Sequence, residues 1–111
     1  MLTIDALRAF GANVDEGLHR CMNNEAFYLR MVGMALADAG FAELGGALEK
    51  NDLDAAFEAS HKLKGALGNL SLDPIFEPTS TLCELLRSKT PGDYAGLYQT
   101  ILQKRDELAA I

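Results

Sequence analysis

Between residues 53 and 70 the chain places Leu53, Ala56, Ser60, Leu63, Leu67 and Leu70 at steps that alternate between three and four. At ~100° per residue these side chains fall on one side of an α-helix, whereas the period of two in a strand would scatter them over both faces. Such a stripe has to be covered by other apolar surface. The rest of the sequence offers the same kind of partner. A short helix fits residues 4–10, loosened by Gly11-Ala12-Asn13. The next starts near Asn24, a good N-cap, carries Phe27, Tyr28, Met31, Met34, Ala35 and Leu36, and ends near Gly40. A third covers residues 41–50 with Phe41, Leu44 and Leu48 inward, and Gly45 and Gly46 weaken its middle.

Asp52 is the expected cap of the 53–70 helix. Asp73-Pro74 reads as another start, because proline in the first turn lacks only an N–H that would be unpaired there. The helix it opens holds Ile75, Leu82, Leu85 and Leu86, and Pro78 inside it is predicted to kink it or delay its regular part. Thr90-Pro91 repeats the start signal, and Tyr94, Leu97, Tyr98, Ile101, Arg105 and Leu108 form the last stripe. The sequence contains no strand-like alternation with hairpin turns, no internal repeat and no low-complexity linker. The expectation is an all-α fold: an antiparallel four-helix bundle with additional short N-terminal helices, one domain over residues 1–111.

Charge and composition remove several function classes. Sixteen acidic residues against ten basic ones give a net charge of −6, which disfavours nucleic acid or an anionic membrane as partner. No stretch is expected to approach the ~20 apolar residues of a membrane span. The start, Met1-Leu2-Thr3-Ile4-Asp5, lacks the basic segment and apolar run of a signal peptide. Cys21 and Cys83 fall on different predicted helices and form no CxxC pair, so reduced thiols in a cytoplasmic protein are expected. No P-loop, dinucleotide fingerprint, serine elbow or HExxH is present. His19 and Cys21 could form half a metal site, but no second pair lies nearby, and His19 reads as a solvated residue. Met22, Met31 and Met34 read as core filler, and the scattered Asp and Glu residues as solvated faces.

One run is not explained by folding alone: Ser60-His61-Lys62-Leu63-Lys64-Gly65-Ala66-Leu67-Gly68-Asn69-Leu70. His61 lies about 130° from the centre of the buried stripe and so faces solvent. Asp54, Phe57, His61, Lys64, Gly65 and Gly68 share a second sector about 100° wide, and Lys62 falls about 100° away from His61. Each glycine inside a helix costs roughly 0.5–1 kcal/mol relative to alanine. Gly65 and Gly68 therefore either clear the flank of His61 for a bulky visitor or admit a neighbouring helix. Clearance is the favoured reading, since close helix packing would place glycine on the buried stripe. A nucleophilic imidazole beside a cation, with a bare flank, suits an anionic group such as a phosphoryl brought by another protein. Neutral Nε2 would attack while Nδ1 keeps its proton, with Asp54 and Glu58 as candidate acceptors for it.

His61-Lys62-Leu63-Lys64-Gly65 followed by Gly68-Asn69-Leu70 resembles the signature of histidine-containing phosphotransfer (HPt) domains of bacterial phosphorelays. Gly17-Leu18-His19-Arg20, the helix over 25–37, Leu48 before Asp52, and Leu82-Cys83-Glu84-Leu85 follow the family layout in order. The resemblance implies a four-helix bundle whose exposed histidine takes phosphate from the aspartate of one receiver domain and passes it to another. Carried over, His61 is the phosphorylated residue, Lys64 its electrostatic partner, and Gly65 and Gly68 the clearance. Receiver domains of response regulators or of a hybrid sensor kinase are then the partners. The protein is a monomeric carrier rather than an enzyme, and Mg²⁺ belongs to the receiver's acidic pocket. The initial Met and the compact length favour a free-standing protein over an excised domain. Three residues depart from the family pattern: Ser60 where alanine is common, Ser71 where glycine is common, and Pro78 where the helix usually runs on. The other reading is a helical interaction module without chemistry, docking a receiver or kinase domain or serving only as a dimerisation unit. Such a face would work with glutamine in place of His61.

Overall fold

The computed structural model describes residues 2–111. Among the described residues seven helices follow in order: α1 Ile4–Phe10, α2 Val14–Arg20, α3 Glu25–Leu36, α4 Gly40–Glu49, α5 Leu53–Asn69, α6 Asp73–Arg87 and α7 Tyr94–Ala109. The caps follow local chemistry. Thr3, Asn13, Asn24, Asp52 and Asp93 each accept a hydrogen bond from a backbone N–H of the first turn they precede.

Helix α5 packs between α4 and α6; α6 packs on α7, and α7 returns to α4. The core between them is built from Phe41 and Leu44 of α4, Ala56, Leu63 and Leu67 of α5, Ile75, Leu82 and Leu86 of α6, and Ile101 and Leu108 of α7. Helices α1 to α3 join the same apolar cluster through Leu7, Val14, Tyr28 and Val32. The stripe on α5 is buried as its spacing requires, with Ala59 added to it and Leu53 only partly covered. Ser60 is fully buried, and its hydroxyl donates to the Phe57 carbonyl at 2.9 Å, which is how a serine fits where alanine is common.

Several expectations need correction. Residues 14–20 form a helix of their own, capped by Asn13, despite the Gly17 in their middle. Helix α7 begins at Tyr94 under an Asp93 cap, so Pro91 lies in the connection and not in the first turn. Pro78 neither interrupts nor delays α6. Pro78 cannot donate to the Pro74 carbonyl one turn earlier, and the next residue, Thr79, ties its hydroxyl to the Ile75 carbonyl at 2.8 Å. Met22 and Met34 are not core filler: they are 89 % and 61 % exposed, and Phe27 also faces outward, while Met31 packs against the core. By length and apolar composition alone, Glu25–Glu49 would serve as a membrane span, contrary to the expectation that no stretch comes close. Residues 37–39 divide that segment, and Phe41 and Leu44 on its second half are spent on the core.

Ser71 shows why its position favours glycine. It has φ 56°, the left-handed conformation that side chains disfavour. The serine is retained by a network: Arg20 donates to its Oγ at 3.1 Å, its hydroxyl donates to Glu16 at 3.1 Å, and its carbonyl accepts from the Asn13 amide at 2.9 Å. These bonds fasten α2 to the end of α5.

Tyr28 makes a second tie at the same end. Its ring is fully buried and its hydroxyl donates to the Leu70 carbonyl at 2.9 Å. Burial, with a lesser push from Cys21 and Asp73, raises this phenol from 10.0 to about 12. The folded state holds the proton more tightly than the unfolded chain, so this contribution is intact below pH 10 and is lost as pH rises through about 12. Tyr28→Phe should lower the urea unfolding free energy by about 1–2 kcal/mol, because the Leu70 carbonyl loses its donor. It should also flatten the alkaline limb of a stability-versus-pH curve, and an unchanged limb would show that another group governs it.

Candidate functional site

His61 lies in the middle of α5, exposed, on the side away from the buried stripe. Phe57, one turn earlier, stacks on the imidazole with ring centroids 5.6 Å apart and planes at 22°. That contact limits the ring's motion without occupying its nitrogens. Among the described residues neither Asp54 nor Glu58 hydrogen-bonds to it; Asp54 pairs with Lys89 at 3.4 Å and, with Glu58, borders Phe57 and Arg87 outside the groove that His61 lines.

His61 borders an open groove of about 440 Å³. Lys64, Gly65, Gly68 and Asn69 continue its α5 side, Asp73 and Phe76 of α6 form another, and Glu16 and Arg20 of α2 close one end. The two glycines differ. A Cβ on Gly65 would meet no atom within 4 Å, so this flank is open to whatever approaches. A Cβ on Gly68 would stand 3.0 Å from the ring of Phe76. Gly68 therefore also lets α6 lie close, the packing role that stands as the alternative in the sequence.

Lys64 reaches across to α6, where Nζ meets Glu84 at 3.3 Å. Arg87 holds the other oxygen of the same carboxylate at 3.4 Å. The hydrogen bond from Lys64 first, and the Arg87 charge second, hold the Glu84 carboxyl below its ordinary range, against an opposing effect of burial. Arg87 also lies 4.9 Å over the Phe57 ring, so a cation stands beside the aromatic that supports His61. At the other end, Arg20 donates to the Gly68 carbonyl at 2.6 Å and pairs with Glu16 at 2.7 Å.

The structure thus brings Phe57, His61, Lys64, Gly65 and Gly68 together and leaves Asp54 aside. Glu84, Arg87, Arg20 and Glu16 join the site without having been expected there. The available signals are local acid–base pairs on one helix, Glu84 with Arg87 three apart and Glu16 with Arg20 four apart. Nothing in their spacing names Lys64 as a partner twenty residues away. His19 is exposed on α2 whereas Cys21 is buried, so the two do not present a shared metal edge.

A family model, the Hpt domain, matches residues 32–111, and the chain belongs to that family. It is a phosphotransfer module of the two-component type, a class of phosphocarriers that work with receiver domains and kinases. The match opens inside α3, so α1 and α2 lie outside it. Comparison with curated proteins and with solved structures gave no match.

Proposed function

We propose that His61 is the phosphorylated residue of a cytoplasmic carrier that takes a phosphoryl group from the aspartate of one receiver domain and delivers it to the aspartate of another. The bundle that presents it is read as the antiparallel four-helix unit α4–α7, with α1–α3 as accessory helices of the same domain. The observation that carries the proposal is an exposed imidazole, stacked on Phe57, beside the open space over Gly65. A receiver's phosphorylated carboxylate is recessed in its own acidic pocket, so an acceptor must project from a surface free of obstruction.

In the accepting step the Nε2 lone pair attacks phosphorus and the P–O bond to the donor aspartate breaks. The electron pair stays on that carboxylate, and Nδ1 keeps its proton. Delivery is the reverse reaction on a second aspartate. The phosphorylated ring gains roughly −1.5 to −2 of charge, which Lys64 is placed to offset. The carboxylates beside His61 do not suit a metal: Glu16 is committed to Arg20 and Ser71, and Asp73 opens α6. The Mg²⁺ that phosphoryl transfer uses is therefore assigned to the receiver's pocket.

The test is incubation with a phosphorylated receiver domain, followed by assay for an acid-labile, base-stable phosphoryl group on this chain. Absence of label with several receivers would refute the carrier reading. Lys64 and Lys62 provide a finer check. Lys64→Ala should shorten the phosphohistidine lifetime modestly, since exposed ion pairs are worth ~0–1 kcal/mol and are screened by salt. Lys62→Ala should do less in single-turnover transfer at saturating partner, because it sits off the sector of His61. A larger defect in the Lys62 variant would mean that the helper charge has been assigned to the wrong lysine.

A further inference from the structure

Two cations stand around His61, and one carboxylate on the neighbouring helix holds both. Lys64 borders the groove with His61, and its ammonium is 3.3 Å from Glu84 Oε1. Arg87, over the ring on which His61 stacks, is 3.4 Å from Glu84 Oε2. An electrostatic partner for a phosphoryl group would ordinarily be left free for it. Here it is bound in advance to a residue of the opposite helix.

We propose that Glu84 is a positioning residue that competes with the phosphoryl group for Lys64, and so sets how long phosphate remains on His61. The exchange is easy on two counts. The Lys64–Glu84 contact is longer than the ~2.7–2.9 Å of a strong charge-assisted hydrogen bond, and Glu84 is 54 % exposed. When Lys64 turns to the phosphoryl group, Arg87 still holds the other oxygen of Glu84, so the carboxylate is not left without a partner. A phosphoryl group with nearly two negative charges outcompetes a single carboxylate, but by less than it would gain from an unengaged lysine. That balance suits a carrier, which has to release the group it accepts: a phosphohistidine stabilised too well is a poor donor. The proposal rests on the carrier reading for its meaning, but its test needs no receiver domain.

The whole chain is phosphorylated with phosphoramidate, which modifies exposed histidines chemically, and loss of phosphate from each site is followed by ³¹P NMR and peptide mass at neutral pH. Exposed His19 on α2 is the internal reference. Glu84→Gln should lengthen the half-life at His61 by about threefold, the scale of one exposed ion pair, and leave His19 unchanged. In a Lys64→Ala background the same substitution should have no effect. An unchanged or shorter half-life in the single variant overturns the proposal. So does an equal lengthening without Lys64, since Glu84 would then act by its own repulsion. Glu84→Ala supplies a second uncharged variant, and melting curves check that both retain the wild-type fold. If the wild type keeps phosphate on His61 after phosphoramidate but takes none from phosphorylated receivers, the carrier reading fails while the competition for Lys64 is still measured.

Discussion

His61→Gln is expected to abolish phosphate acceptance while leaving the fold as stable as wild type. Glutamine keeps a polar side chain of similar reach but has no nitrogen lone pair able to attack phosphorus. His61 is exposed and contributes only its stacking on Phe57, so its loss should change stability by less than ~0.5 kcal/mol. Labelled phosphate from a receiver domain, followed on a gel after acid and base treatment, checks the first point. Thermal or urea melts check the second. Undiminished transfer in the mutant would remove His61 from the reaction. A large drop in helicity would mean that the ring is a core element and not a presented nucleophile.

Gly65→Gln should produce the opposite pairing, slower transfer in a more stable protein. No atom stands within 4 Å of a Cβ at this position, so the new side chain occupies the space that an incoming receiver must enter. Misplacing reacting groups by an ångström or so can reduce a rate by about a hundredfold, and a loss of about tenfold or more is expected here. Replacing a mid-helix glycine adds up to ~1 kcal/mol of stability. Gly68→Gln should separate from it. There Phe76 lies 3.0 Å from the new Cβ and has to give way, so the propensity gain is offset and the melting temperature stays flat or falls. Single-turnover transfer and melting curves on the two variants decide the matter. Equal stabilisation at both positions would show that Phe76 moves aside freely; destabilisation at Gly65 would contradict the open flank.

The residues of α5 illustrate how much of a site a single helix can encode. Helical phase is a local property: each residue turns the chain by a constant angle, so the outward position of His61 and the shared side of Phe57, Lys64, Gly65 and Gly68 follow from spacing alone. Caps are equally local, and Asn24 and Asp52 start their helices where their chemistry places them. Residues 14–20 are harder to read, because a mid-helix glycine lowers propensity. Packing of α2 on Tyr28 and the end of α5 outweighs that deficit. Met22 and Met34 mislead for a related reason. Composition makes a methionine apolar, but only the neighbouring helices decide which side of its own segment is covered.

The sequence by itself determined an all-helical chain, the face on which His61 is presented, and the cation and glycines that share it, because all of these depend on contacts within a few turns of one helix. The tertiary structure alone decided that Lys64 is engaged by Glu84, that Arg87 joins them over Phe57, that Arg20 and Glu16 close the groove, and that Asp54 turns to Lys89. Apart from Glu16–Arg20 and Glu84–Arg87, which are neighbours on one helix, these contacts join side chains from different elements, many residues apart in the chain. Their distances are set by how the helices pack, and no local period records that.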